Sequence, residues 1–331
     1  MSQNATMLDA IDPEITQTLV TRREAIARSG KASGLVAAAL ASGSVPLALG
    51  ALAGDAYAQA GTPAVIVQVL RYALLLENLE NEFYKAVISG AAFAGVRSQF
   101  TAAETAAFAE IQKHEQAHVT LLRTAIQTAG GTVDNYTAAS FDFTGGRGAG
   151  NGPLTAALAN TAAAKALLLA ATQGFEDTGV RAYKGQAGNL LGTATLTTAL
   201  QIHSIEARHA AKIRRLRRLG VPGTPDVVRL SGTIRGTGLA AAGAPTGAPQ
   251  AVADLLALIY GGATPEGNTS HPVSPAAGQV ANIDAATLPG ATAEFAQQAY
   301  DEPLTAAEVV AIVTPFIAAG TALPPAPPNP A

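Results

Sequence analysis

The chain has no cysteine and no tryptophan, and only 5% of its 331 residues are aromatic. Without cysteine there can be no disulfide framework, zinc–thiolate site, iron–sulfur cluster or cysteine nucleophile. Any bound metal must be held by Glu, Asp and His, and that ligand set suits iron and manganese better than soft metals. Few aromatics alongside abundant alanine argue for close-packed helices over a β-sandwich. Charge of either sign is also scarce: 14% of residues are charged and the net charge is -3. The chain therefore has no electrostatic reason to bind nucleic acid or an anionic membrane surface. What it does have is 48% hydrophobic residues, enough for one large domain or two modest ones.

The first 58 residues read as a targeting segment. A polar stretch leads into Thr21-Arg22-Arg23-Glu24-Ala25-Ile26, then a weakly apolar Ala/Gly-rich run from Ala32 to Ala53, then Ala56-Tyr57-Ala58-Gln59-Ala60. A basic region, an apolar region and small residues at a cleavage site occur in the order a secretory signal requires. The paired arginines and low hydrophobicity resemble a twin-arginine signal, cleaved near Ala58 or Ala60. Gly34, Gly43, Pro46 and Gly50 interrupt the run. The mature chain is thus expected to be exported, to periplasm or cell envelope, with no stable transmembrane helix.

Four helices follow. The spacing predicts the first over 63–89, with Ile66, Leu70, Ala73, Glu77, Glu80, Tyr84 and Val87 on one stripe. The second spans about 101–129, opens with a Thr101/Glu104 capping box, and carries Phe108, Ile111, Glu115, His118 and Leu122. The third spans about 153–186 with Ala162, Leu169, Gln173, Glu176, Val180 and Tyr183. The fourth spans about 193–219 with Ala199, His203, Glu206, His209, Ile213 and Leu216. The connections run short, long, short, the long one covering 132–152. That is the pattern of an all-α, ferritin-like four-helix bundle with one long crossover over 63–219. Residues 220–331 are rich in Gly, Ala, Pro and Thr. They read as an irregular extension with short helices near 250–260 and 304–317, wrapping the bundle and ending in a Pro-rich tail that is extended or disordered.

The chemistry lies in the polar residues on these stripes. Charged groups are almost never buried unless paired or bound to metal. Yet each helix carries a glutamate on its apolar stripe. The second helix has Glu115-Gln116-Ala117-His118 and the fourth Glu206-Ala207-Arg208-His209, each placing Glu and His on one face. The first and third supply Glu77 and Glu176, each followed seven residues later by a tyrosine, Tyr84 and Tyr183. Two metal ions fit this inventory: Glu115 and Glu206 as bridges, Glu77 and Glu176 as terminal ligands, His118 and His209 capping one ion each. Without cations four buried glutamates would repel one another and their pKa values would rise. Tyr84 and Tyr183 are placed to hydrogen-bond the carboxylates and orient them.

The chain resembles the ferritin-like superfamily. Its di-iron members use one Glu from each of two helices and Glu-x-x-His from each of the other two. Leu76-Glu77-Asn78-Leu79-Glu80-Asn81-Glu82-Phe83-Tyr84, His114-Glu115-Gln116-Ala117-His118-Val119 and Ile205-Glu206-Ala207-Arg208-His209 carry the likeness. Within the superfamily the chain is most similar to the exported group that includes desiccation-related proteins, and Tyr300–Ile317 looks like that group's tail. The resemblance implies two metal ions, iron first and manganese second, and redox chemistry with oxygen or peroxide. It also leaves open a structural role in the cell envelope, with a homodimer or an envelope partner.

Several residues have blander readings. Glu80 rivals Glu77 as a ligand, and the tyrosine spacing favours Glu77. His203, one turn before Glu206, reads as a core or carboxylate-supporting histidine; His114 reads as surface. Arg214-Arg215 and Arg217-Arg218 sit at a helix C-terminus, where such a cluster is usually solvated. Gly146-Arg147-Gly148-Ala149-Gly150 looks superficially like a nucleotide loop, but no strand precedes it, so it reads as flexible crossover.

Overall fold

The structure is a computed structural model. It describes residues 63–219, 250–260, 268–273, 281–292, 296 and 300–330. The twin-arginine-type segment lies outside the described residues.

The bundle is made of α1 (Pro63–Ser89), the one-turn α2 (Ala94–Arg97), α3 (Ala102–Thr128), α4 (Ala162–Gln186) and α5 (Ala194–Leu219). Pro63 opens α1, where its missing N–H costs nothing. Thr101 and Glu104 form the expected capping box on α3, each bonding the other's backbone N–H. The apolar stripes meet in a core that includes Leu75, Leu79, Phe83, Phe108, Leu168 and Phe175.

The connectivity follows from two ion pairs. Arg71 near the start of α1 is bidentate to Asp134, just past the end of α3, at 2.8 and 2.6 Å, so α1 and α3 run antiparallel. Lys165 in the first turn of α4 meets Glu104 in the first turn of α3 at 3.2 Å. The chain between them must therefore return along the whole bundle. This is the long crossover.

The start of α4 corrects the sequence reading, which placed it near 153. Residues Thr155–Leu158 form a 3-10 turn, and the helix begins only after Thr161, whose side chain accepts the N–H of Ala164. Ala162, expected on the inward stripe, is exposed as a result. The preceding Asn160 is held instead by Ser98 and Gln99 beyond α2, at 2.8 and 2.5 Å.

Beyond the bundle come α6 (Gln250–Tyr260), an antiparallel hairpin of β1 (Ser270–Val273) and β2 (Ala281–Asp284), and α7 (Ala306–Val313), which continues as a 3-10 turn over Thr314–Phe316. The hairpin was not foreseen. Its strands are four residues long and one contains Pro272, so neither shows a strand-length alternation. The C-terminal chain contacts the bundle at several points, and its Pro-rich end is held there instead of being disordered, with Asn189 donating to the Pro328 carbonyl at 2.6 Å. Leu304 donates its N–H to the Arg181 carbonyl at 3.1 Å, and Asp142 in the crossover donates to the Phe316 carbonyl at 2.8 Å. The Arg181 side chain, 0% exposed, donates to the Glu302 carbonyl at 2.8 Å and also to that of Ile259.

This backing makes α4 buried nearly all round, and Gly185 shows how closely the chain approaches. A Cβ there would sit 1.9 Å from the Leu304 carbonyl oxygen. Gly185→Ala is therefore expected to destabilise the fold by about 1–3 kcal/mol through overpacking. Urea unfolding should register the loss, and limited proteolysis should cut first within 300–330. An unchanged midpoint and digest would disprove the close contact.

Two other expectations need correction. Arg214 and Arg217 turn inward instead of standing in solvent. Arg217 donates to Gln173 Oε1 at 2.5 Å and Arg214 lies 3.6 Å from Asp177 Oδ1. Tyr260 of α6 joins the same network through a 2.7 Å bond to Asp177. The glycine loop at 146–150 is also accounted for. Asp142 accepts the N–H groups of Gly148 and Gly150 at 2.8 and 3.0 Å, so the loop's amides are turned on the protein's own carboxylate.

Candidate metal centre

Halfway along the bundle, one turn from each of four helices turns acidic side chains inward. Glu77 of α1, Glu115 of α3, Glu176 of α4 and Glu206 of α5 are each 0% exposed. His118 and His209 lie one turn after Glu115 and Glu206 and are buried with them. Their ligand atoms form two overlapping clusters, each within 4.8 Å. One holds Glu77, Glu115, His118 and Glu206; the other holds Glu115, Glu176, Glu206 and His209. Glu115 and Glu206 belong to both. All six residues singled out in the sequence are thus brought together.

Donors in the centre are too few for its acceptors. His118 Nδ1 is 3.0 Å from Glu77, 3.2 Å from Glu206 and 3.3 Å from Glu115. His209 Nδ1 is 2.8 Å from Glu115 and 3.3 Å from Glu176. One ring nitrogen carries at most one proton and cannot serve three carboxylates. Glu115 Oε1, Glu176 Oε2, both oxygens of Glu206 and His209 Nδ1 make no hydrogen bond, close as they stand. Buried carboxylate oxygens in that state are costly unless something positive lies between them. The arrangement fits a pair of cations.

The protonation states agree. Burial, reinforced by Glu206, pushes Glu115 well above the usual carboxylate range, and burial carries Glu176 up to about 7. Burial would raise Glu206 too, but His118 and His209 beside it bring it down to about 2. Burial pulls the His118 imidazolium down, yet its carboxylate neighbours lift it to about 12. With no metal, the two histidines thus stand in as the cations.

The tyrosines orient the terminal glutamates, in a crossed arrangement. Tyr84 of α1 donates to Glu176 of α4, and Tyr183 of α4 donates to Glu77 of α1 at 2.6 Å. Each tyrosine locks the acid of the opposite helix, so the repeated Glu-x6-Tyr element becomes a reciprocal clasp. His203 differs from expectation. It bonds the Val180 carbonyl at 3.0 Å and ties α5 to α4 instead of supporting a carboxylate.

Residues 66–218 match the family model for ferritin-like domains. This segment is a ferritin-like domain. No curated protein and no solved structure matches the chain. The domain therefore combines the four-helix fold with a buried acidic and histidine cluster compatible with metal, and none of its described helices is long and apolar enough to cross a membrane.

Two residues of this ferritin-like domain were undervalued in the sequence. Glu80 is 4% exposed, and its carboxyl is driven up by burial and then by Glu206. It lies outside both clusters, against Gly179, where a Cβ would come within 3.3 Å of both Glu80 and Glu206. His114 is half-buried and stacks on His209 with an interplanar angle of 13°, its Nδ1 3.0 Å from His209 Nε2. Its helical position next to Glu115 suggested an outward side chain; only the neighbouring helix shows what it meets. With His209 Nδ1 turned to the carboxylates, Nε2–H is left to donate to His114. His114→Ala should therefore weaken metal binding by about 10–100-fold, as loss of a ligand's outer partner typically does. Chelator competition measures this, and unchanged affinity would remove His114 from the centre.

Proposed function

We propose that this chain is an exported ferritin-like protein that binds two metal ions, iron in preference to manganese, and oxidises iron or consumes oxygen or peroxide in stress protection. The supporting observation is the pair of overlapping clusters sharing Glu115 and Glu206, with buried carboxylate oxygens that have no hydrogen-bond donor. Glu77 and His118 would complete one position, Glu176 and His209 the other. Four carboxylates balance two divalent charges. Held by these residues, a redox-active metal pair would supply electrons to an oxidant. The chain's own part is to hold the ligands rigid. Tyr84 and Tyr183 fix the terminal glutamates, His114 fixes His209, and the surrounding Leu and Phe side chains exclude water. Glu80, buried close to Glu206, offers a further acid beside the centre. Export rests on Arg22-Arg23, the weak apolar run and Ala56-Tyr57-Ala58.

A second reading is favoured by the burial itself. All four ligating carboxylates are closed off from solvent, as suits ions that mainly stabilise an envelope protein of the desiccation-related type. One experiment separates the two. Protein purified from its native compartment is assayed for metal, then mixed with peroxide or with Fe(II) and air while its absorbance is followed. The redox reading expects two ions per chain and an absorbance change on mixing. Metal that raises the melting temperature but never turns over oxidant supports the stabilising role. Metal-free native protein would sink the redox reading and leave a structural or interaction protein whose metal site is vestigial.

A further inference from the structure

A cavity of about 210 Å³ lies in the bundle beside the acidic centre, at the end where α4 turns into α5. No charged residue lines it, and its surface is predominantly apolar. Leu121, 43% exposed, stands on its rim, so the cavity is within reach of solvent. The walls change in character along its length. Away from the centre they include Thr195 and Thr198, in the first turns of α5. Towards the centre they are Leu76, Leu122 and Ile202. Leu76 directly precedes Glu77, and Ile202 lies one turn before Glu206. Tyr183 stands at this end: it lines the cavity, and its hydroxyl donates to Glu77 at 2.6 Å.

Such walls select among oxidants. Tyr72 and Gln186 also line the cavity, but the Tyr72 hydroxyl and Gln186 Nε2 are sealed within the wall and offer nothing to an occupant. Peroxide passing Leu76, Leu122 and Ile202 would give up its hydrogen bonds to water without replacement. Dioxygen has none to lose. A cavity of about 150 Å³ with apolar walls takes up benzene or xenon, so there is ample room here for a small uncharged molecule.

The geometry points to a dioxygen-binding cavity: the gas enters past Leu121, collects against Leu76, Leu122 and Ile202, and reaches the acidic centre beside Tyr183. This rests on the redox reading above and narrows it, because the route admits oxygen and turns peroxide away.

Xenon tests the cavity without any metal chemistry, since it enters apolar cavities of this kind. In the metal-free full chain, xenon NMR should show saturable binding. Ala199→Phe, which adds a ring to the cavity wall, should abolish it. The route is tested by mixing Fe(II)-loaded protein with air-saturated buffer and, separately, with peroxide in the absence of air. In Ala199→Phe the ratio of the oxygen rate to the peroxide rate should fall about tenfold, a barrier increase of roughly 1.4 kcal/mol. Saturating toluene on the unaltered chain should lower the same ratio, so the test survives a variant that folds poorly. Leu200→Phe is the control, an exposed position of α5 outside the cavity, and should leave the ratio as it is. No saturable xenon binding, or a ratio indifferent to both Ala199→Phe and toluene, would overturn the proposal while continued oxidation left the redox reading intact. Protein that takes up xenon yet reacts with neither oxidant would refute the redox reading, and the oxygen route with it.

Discussion

Glu206→Gln is expected to empty the centre of both ions, whereas Glu77→Gln should remove one. Glu206 contributes to both clusters, while Glu77 contributes to a single one. Glutamine keeps the volume and one carbonyl oxygen but loses the charge and the second anionic oxygen that a bridge needs. It also leaves His118 and His209 without the carboxylate that stands between them, at 3.2 and 3.8 Å. Glu176→Gln should resemble Glu77→Gln and spare the His118 side. Each occupied position lost also removes linkage stabilisation, about 2.7 kcal/mol where free metal exceeds its dissociation constant a hundredfold. Metal analysis after desalting, together with melting temperature, reads both effects. Glu82→Gln serves as control, since its partner is Lys85 on the surface at 2.8 Å. If Glu206→Gln retains the same metal as the parent, the two positions do not share that residue and the bridged arrangement is wrong.

The parts legible in the sequence share one physical cause. A glutamate on an apolar helical stripe is an anomaly, and anomalies at regular spacing identify both the helix and its chemistry. For this reason α1, α3 and α5 could be bounded to within a residue or two, and the acidic turns stood out at the same time. Where residues are not anomalous, the signal fails. Ala, Thr and Asn at 155–161 suit a helix, a turn or a cap equally, and tertiary contact with Ser98 and Gln99 decides among them. Asp177 and Arg181 look like ordinary solvated residues of α4. They are buried because α6 and the chain around 302–304 lie against that side. No periodicity within α4 could reveal a covering supplied by residues more than 70 positions away, as in the Tyr260 to Asp177 bond spanning 83. His114 is the same case at the centre itself: its role is fixed by a partner 95 residues distant.

Stability should fall with rising pH in the metal-free protein, and bound metal should offset more of that fall the higher the pH. In the metal-free protein, Glu176 is raised to about 7, and Glu115 and Glu80 are raised as well, all by burial first. A group raised above its unfolded value stabilises the fold only while protonated. That contribution is complete below the unfolded carboxylate range near pH 4.5 and is lost as pH climbs through the folded values. His118, raised to about 12, behaves alike: its contribution is whole below about 6.5 and declines from there upward. Glu206 has the opposite sign. Lowered to about 2, it stabilises above about 4.5 and loses that only as pH falls towards 2. Between pH 5 and 8 the first set dominates, so the melting temperature of metal-free protein should fall as pH rises. Metal needs the same carboxylates ionised and the same imidazoles neutral, so its affinity climbs over that interval. The gap between loaded and stripped protein should therefore widen steadily from pH 5 to pH 8. Calorimetric scans of both forms at several pH values measure it. A constant gap would mean that the ions bind somewhere other than this buried cluster, because only groups that exchange protons for metal can make the two curves diverge.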